Sequence, residues 1–224
     1  MATQWVVLCA GAADPAISQL SDWINPDDEV HFVGIDRGAW RLINAGYLLD
    51  VAVGDFDSVS PAERQRVEAN SHEFYQYPSE KDDTDAELGL ALAMERWPEA
   101  HYLALGFLGE GTGRLDHLLA NIWLAHQPRY QAGLSRLILL ETQHQARFYL
   151  AGQHTLPYQS AHYLSIISLT PVTDCQIEGA KYHLAKTNFA YPRALISNEF
   201  VRAGQAVRLE FTSGIVLVMW VNRI

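Results

Sequence analysis

Residues 30–58 read VHFVGIDRGAWRLINAGYLLDVAVGDFDS. An apolar run, Val30–Ile35, stops at Asp36-Arg37-Gly38-Ala39. A helical stretch comes next, and a second short apolar run, Val51–Val53, stops at Gly54-Asp55-Phe56-Asp57-Ser58. Strand, helix, strand at this spacing is the unit that builds a parallel sheet. The alternation extends both ways from it. Trp5–Cys9, Glu73–Tyr77, Tyr102–Phe107 and Leu137–Leu140 are further candidate strands. Asp14-Pro15 reads as N-cap and first residue of an intervening helix. Ser60-Pro61-Ala62-Glu63 and Thr84-Asp85-Ala86-Glu87 fit the capping box, in which hydroxyl and carboxylate each satisfy an orphan backbone donor. Leu115, Leu118, Leu119 and Ile122 form one apolar stripe. The expectation is an α/β unit, a mostly parallel sheet with helices on both faces, whose ligands bind beyond the carboxyl ends of the strands.

After residue 143 the helical period disappears. Ala146–Leu150, Tyr163–Leu169, Ala206–Phe211 and Ile215–Val221 read as strands between Gly, Pro, Asn and Ser. A C-terminal antiparallel β-sandwich is expected. Charge divides at the same place: nine Lys and Arg against 22 Asp and Glu in residues 1–142, seven against four in 143–224. Two domains with different tasks are therefore expected, 1–142 and 143–224.

The whole chain has 224 residues and a formal net charge of −10. That balance argues against broad non-specific binding to nucleic acid. No apolar run approaches the ~20 residues that span a bilayer, so no membrane role is expected. Two cysteines, Cys9 and Cys175, make neither a disulfide framework nor a four-thiolate metal site, which favours a reduced, cytoplasmic setting.

The acidic residues gather at the expected strand ends. On a continuing strand Asp55 and Asp57 would point the same way. Two like-facing carboxylates repel unless a cation lies between them, and Mg²⁺ is the hard cation that keeps positions open for water and phosphate. A turn with Asx caps is the competing reading of that segment, and a simple helix cap that of Asp36. Lys81-Asp82-Asp83-Thr84-Asp85 precedes a helix start, and reads as a surface salt cluster or as an ammonium aimed at a phosphate. Gly106, Gly109, Gly111 and Gly113 open into a helix bearing Arg114, Asp116, His117 and Asn121. Glycine there lets backbone N–H groups approach phosphate closely, though the loop is neither Walker A nor G-x-G-x-x-G. Asp36, Asp55, Asp57, Asp85 and Asp116 would repel a triphosphate. Bound magnesium reverses that sign, and Arg114 and Lys81 neutralise the rest. Phosphoryl-type transfer fits, needing chiefly positioning and charge stabilisation.

Taken in order, these segments resemble thiamine pyrophosphokinase. The matching pieces are Asp36-Arg37-Gly38-Ala39, Gly54-Asp55-Phe56-Asp57-Ser58, Lys81 with Thr84-Asp85, Gly113-Arg114-Leu115-Asp116-His117 with Asn121, Gly179 to Leu184, and Ser197-Asn198-Glu199. The resemblance implies an enzyme that transfers diphosphate from ATP to the hydroxyl of thiamine, with Mg²⁺ as cofactor and a homodimer as the assembly. It implies metal binding by Asp55, Asp57 and Asp85, and catalysis by these three with Arg114 and Asp116. For ATP it implies Asp36, Arg37, Gly38, Lys81, Thr84, Gly113, Arg114, His117 and Asn121. Ser197, Asn198 and Lys81 fall to thiamine. Trp220 could supply a stacking face by its chemistry alone, against the commoner core reading of a Trp in an apolar strand. The loop departs from the family's usual Gly-x-x-Gly-Gly-Arg, with Glu110, Gly111 and Thr112 before Gly113. The competing readings are a metal-dependent phosphoesterase using the same aspartates and Asp116-His117 on water, and a binding protein without turnover.

Overall fold

Six strands alternate with helices in the first part of the chain. They are β1 (Gln4–Cys9), β2 (Glu29–Ile35), α1 (Arg37–Asn44), β3 (Leu49–Gly54), α2 (Pro61–Ala69), β4 (Ser71–Gln76), α3 (Asp85–Arg96), β5 (His101–Leu105), α4 (Leu115–Trp123) and β6 (Leu137–Leu140). A computed structural model describes residues 2–13, 15–109 and 114–222. Its two units are Met1–Thr142 and Gln143–Ile224.

In the first unit all strands are parallel, in the order β6-β5-β1-β2-β3-β4. The chain therefore turns back at β1, with β2 to β4 on one side and β5 and β6 on the other. Alternate side chains feed opposite faces. Val7, Cys9, Ala52, Leu103 and Leu105 pack with Ala39, Leu42 and Ile43 of α1 and Val67 of α2. On the other face α3 seats at Gly89, where a β-carbon would lie 2.7 Å from Ile35 Cδ1 and 3.3 Å from Val53 Cγ1. Both capping boxes, Ser60 with Glu63 and Thr84 with Glu87, are formed.

Two readings are adjusted. Asp14, expected as a helix cap, lies outside the described residues. The next element in the chain is one 3₁₀ helix, Ile17–Asp22, rather than an α-helix. The apolar stripe of α4 is partly turned to the surface: Leu115 is 70% exposed, and Leu119 and Trp123 are also exposed.

The second unit is antiparallel: β7 (His144–Leu156), β8 (Tyr163–Ser168), β9 (Val172–Glu178), β10 (Leu184–Phe189), β11 (Arg193–Asn198) and β12 (Val207–Val221). β12 pairs with β7 along its length, with a register shift between Phe211 and Ile215. Gly214 sits there at φ 103°, where a β-carbon would meet Pro171 O at 2.4 Å. The first half of β12 continues into β9 and β10, the second half into β8 and β11. Two sheets thus share one long ribbon and enclose Leu164, Ile166, Ile177, Phe189, Leu209, Val218 and Trp220. The sequence reading split β12 in two and passed over β9 to β11. Those strands alternate polar residues such as Asp174, Gln176, Lys186 and Asn188 and carry a weak apolar signal. Cys9 and Cys175 are free and buried. Among the described residues no helix is long and apolar enough to cross a membrane.

Candidate active site

A cleft opens at the carboxyl ends of the parallel strands. It is lined by Ala10 to Ala12 after β1, Asp36 and Arg37 after β2, Ser58, Thr84 and Asp85 at the start of α3, Gly106 and Gly109 after β5, and Arg114, His117 and Asn121. It spans the crevice between β1 and β5, where the strand order reverses, which is where open α/β sheets bind ligands.

Asp36, which lines the cleft, converges with Asp55 and Asp57, one oxygen of each lying within 4.8 Å of the others. The convergence does not come from strand alternation, because β3 ends at Gly54. Instead the chain folds back around Phe56, at φ 59°, whose buried ring stacks on Phe74 at 4.6 Å. Asp57 N–H donates to Asp55 Oδ1 at 3.1 Å, so the Asx turn and the paired carboxylates are one structure. Asp36 occupies the N-cap position of α1, but its side chain makes no cap bond. Its Oδ1 accepts Phe56 N–H at 2.8 Å and its Oδ2 accepts the Ser58 hydroxyl at 3.3 Å. Gly54 makes room for this: a β-carbon would lie 3.1 Å from both Asp36 N and Asp36 Oδ1.

The electrostatics reflect crowding. Burial first, then the charges of Asp85, Asp55 and Asp57, push the Asp36 carboxyl up to about 6. Partial burial also raises Asp55, but the Asp57 N–H, Ser79 and the Lys81 charge outweigh it and hold it below its ordinary value. Lys81 Nζ lies 3.2 Å from Asp85 Oδ1 and 3.7 Å from Asp55 Oδ2, and donates to Pro78 O at 3.0 Å. Asp85 is raised, chiefly by burial, with Lys81 opposing. Asp36 joins the expected Asp55 and Asp57 in the convergent cluster, and Asp85 shares the Lys81 ammonium with Asp55. Three convergent carboxylates, one already reluctant to ionise, suit a hard cation with oxygen ligands.

The other expected residues divide. Arg37 donates to the Ser58 carbonyl. Gly38 has a packing reason, since a β-carbon there would sit 1.9 Å from Cys9 O. The Thr84 hydroxyl caps α3 by accepting Glu87 N–H. Arg114 lines the cleft, but its guanidinium pairs with Asp116 at 3.0 and 2.7 Å, on an exposed surface. Asp116, held well below the usual carboxylate range by Arg114, is not among the residues lining the cleft. Asn121 is buried and donates to Phe107 O at 2.7 Å, which anchors the start of the glycine-rich loop. Gly113 lies outside the described residues. Ala10-Gly11-Ala12 and Ser58 line the cleft without having been singled out. Three small residues directly after β1 were the available signal.

In the second unit, Ser197 is exposed at φ 61°. Asn198 is buried and spends its amide on the chain: Oδ1 accepts the N–H of Tyr182 and of Glu199, both at 2.9 Å, and Nδ2 donates to Tyr182 O at 2.9 Å. Trp220 is corrected. It is 2% exposed within the core of the unit, with no face free for stacking on a ligand.

Residues 27–135 match the family model described as thiamin pyrophosphokinase, catalytic domain, and residues 153–216 match that of the vitamin B1 binding domain. The chain belongs to the thiamin pyrophosphokinase family. It is 28% identical over 218 residues to a thiamine pyrophosphokinase of Bacillus subtilis, covering 95% of this chain and 96% of that one. A crystal structure of a thiamin pyrophosphokinase family protein from Enterococcus faecalis is 34% identical, covers 100% of both chains and superposes with a TM-score of 0.85. That of thiamine pyrophosphokinase from Bacillus subtilis is 26% identical, covers 99% of this chain and 100% of that one, with a TM-score of 0.82. The thiamin pyrophosphokinase family transfers diphosphate from ATP to thiamine, which disfavours the phosphoesterase reading.

Proposed function

We propose that this chain makes thiamine diphosphate and AMP from thiamine and ATP, with ATP bound by Met1–Thr142 and thiamine by Gln143–Ile224. The observation that carries the reading is the convergence of Asp36, Asp55 and Asp57 beside Lys81 and Asp85, with Asp36 and Asp85 lining a cleft at the switch point of a parallel sheet. Asp36, Asp55 and Asp57 would hold Mg²⁺, which when bound supplies charge neutralisation for the ATP phosphates.

The remaining roles belong to the protein's own groups. The thiamine hydroxyl oxygen forms a bond to the β-phosphorus of ATP. The bond from that phosphorus to the oxygen shared with the α-phosphate breaks, and AMP leaves with that oxygen. Lys81 and Arg114 balance charge on the phosphates, and His117 and the backbone after β1 and β5 orient them. The hydroxyl proton passes to a carboxylate. Asp85 suits this task, being half-buried, raised and held by Lys81. Asn198 shapes the thiamine site through the Tyr182 segment, with Ser197 at its rim. The exposed apolar residues Leu115, Leu119 and Trp123 on one helix support a homodimer. The chain's reduced, buried cysteines fit a cytoplasmic enzyme.

A coupled assay of AMP release with and without thiamine and Mg²⁺ tests the reading. AMP that appears only when both are present supports it; thiamine-independent release would return the phosphoesterase. Sedimentation at assay concentration tests the dimer, and Leu119→Glu should shift the species toward monomer.

A further inference from the structure

The segment Lys81-Asp82-Asp83-Thr84-Asp85 reads as a surface salt cluster or as the Lys81 ammonium aimed at a phosphate. Asp83 is committed elsewhere. Both its oxygens are taken by one guanidinium 46 positions along the chain: Arg129 Nη1 donates to Oδ2 at 2.7 Å and Nη2 to Oδ1 at 2.8 Å. Arg129 Nε donates to Gln127 Oε1 at 2.9 Å, and Gln127 Nε2 donates to Glu87 Oε1 at 2.6 Å. Glu87 in turn accepts the Thr84 N–H at 2.8 Å through its other oxygen. The Tyr130 hydroxyl donates to Glu87 O at 2.9 Å, and its ring lies under the Arg129 guanidinium. The network closes on itself, and Glu87 within it is buried.

Of its members only Thr84 lines the cleft; the others stand behind two segments that do, the start of α3 and α4. Asp83 and Thr84 fix the segment between Lys81 and Asp85. Arg129 lies on the short 3₁₀ turn Pro128–Tyr130, and Gln127 joins it to the turn Leu124–His126 that continues directly from α4, the helix that carries His117 and Asn121 and is preceded by Arg114. A bidentate fork holds an orientation as well as a distance, which a lysine at the same place does not. We propose that Arg129 is a positioning residue that sets Lys81 and Asp85 against Arg114 and His117 across the ATP cleft. The inference rests on the reading that these four groups face ATP. Arg129 touches no reacting atom; it acts through the fork to Asp83 and the relay to Glu87. Groups that support a reacting set in this way typically change affinity or rate by about tenfold to a hundredfold when altered.

The test compares wild type, Arg129→Lys, Asp83→Asn and the double variant. Three quantities are read: steady-state constants for each substrate, the thermal midpoint, and calorimetric affinity for Mg²⁺ with an ATP analogue whose α,β-bridge cannot be cleaved. The expected result for Arg129→Lys is a near-native midpoint, an unchanged KM for thiamine, and a loss of about tenfold or more in kcat/KM for ATP, matched by weaker analogue binding. Asp83→Asn, which keeps Arg129 and its link to Gln127, should repeat the loss, and the double variant should be little worse than either single one. Unchanged analogue affinity and kcat/KM for ATP would overturn the proposal. So would a loss shared equally by both substrates that tracks the unfolded fraction. Wild-type protein that releases no AMP with thiamine would refute the proposed reaction, while the analogue titrations would still decide the role of Arg129.

Discussion

Asp36 Oδ1 accepts the backbone N–H of Phe56 at 2.8 Å, and both residues hold positive φ, 52° and 59°. Non-glycine residues in that region cost on the order of 1–3 kcal/mol each, and they persist where the surroundings over-determine them. Here the surroundings are a buried ring at Phe56 and a part-buried carboxylate bond. Asp36 also forgoes the cap of α1, which is worth about 1 kcal/mol in an ordinary helix. What the strain secures is the position of Asp55 and Asp57 opposite Asp36.

Asp57→Asn and Asp36→Asn should therefore abolish activity without unfolding the protein. Each keeps an oxygen acceptor and removes one charge from the cluster, and losses of about 10²–10³ in kcat are expected for a group of this kind. Asp36→Ala should differ by also lowering stability, by about 1–3 kcal/mol, because the Phe56 N–H loses its partner. Parallel measurement of kcat and thermal midpoint separates the two effects. A midpoint for Asp36→Ala equal to that of Asp36→Asn would show that the Phe56 bond does not hold the loop.

Gly38→Ala should be severe in stability rather than selective in function. A β-carbon at 1.9 Å from Cys9 O cannot be accommodated by a side-chain shift, because both partners are backbone. Helix α1 would have to move off the end of β1, at a cost of several kcal/mol, in the upper range for single substitutions. Chemical denaturation would show it as a fall in midpoint. A variant that stays stable but loses ATP affinity alone would restore the direct ligand role.

The strand–helix alternation was legible because parallel strands buried on both faces are almost wholly apolar. Val6 to Cys9 and Leu137 to Leu140 could hardly be read otherwise. Caps at Ser60 and Thr84 were legible because their chemistry is local. The gathering of Asp55 and Asp57 was legible, but its cause was not: the turn at Phe56 depends on a ring buried against Phe74, a contact between distant positions. The pairing of Asp36 with that turn, and of Asp83 with Arg129, are likewise tertiary. Of the two readings of Trp220, the core one holds, because an aromatic residue in an apolar strand gives a stacking role no signal of its own. The middle strands of the second unit were missed because polar positions interrupt their apolar ones.

Asn198→Ala should weaken thiamine turnover through structure. Three of its hydrogen bonds tie Tyr182 and Glu199 to the end of β11, and their loss leaves backbone groups of Tyr182 without partners. A stability loss of about 1–3 kcal/mol is expected together with a raised KM for thiamine and an unchanged KM for ATP. Asn198→Asp, which retains the acceptor but not the donor, should lie between. A raised KM for thiamine with no loss of stability in Asn198→Ala would instead indicate direct contact with the substrate.

The acid cluster should also make stability depend on pH and on magnesium together. Asp36 is lifted from 3.8 to about 6, so the folded chain holds a proton that the unfolded chain releases across that interval. Stability from this group is therefore present below about 4 and declines as pH rises to about 6, the reverse of an ion-paired carboxylate. Asp85, raised as well, adds a slope of the same sign, while Asp55 and Asp83, lowered, add slopes of the opposite sign. The whole-protein curve mixes these, so the informative quantity is the difference between wild type and Asp36→Asn. In magnesium-free buffer Asp36→Asn should gain on wild type between pH 4 and pH 7, by on the order of 2 kcal/mol at the upper end. Magnesium should close that gap at pH 7, because a cation among the three carboxylates stabilises only the folded wild type. Thermal midpoints across this pH range, with and without Mg²⁺, measure both effects. A difference that stays flat with pH would mean that Asp36 ionises freely in the folded protein. A gap that magnesium leaves open would mean that the cluster does not take the cation.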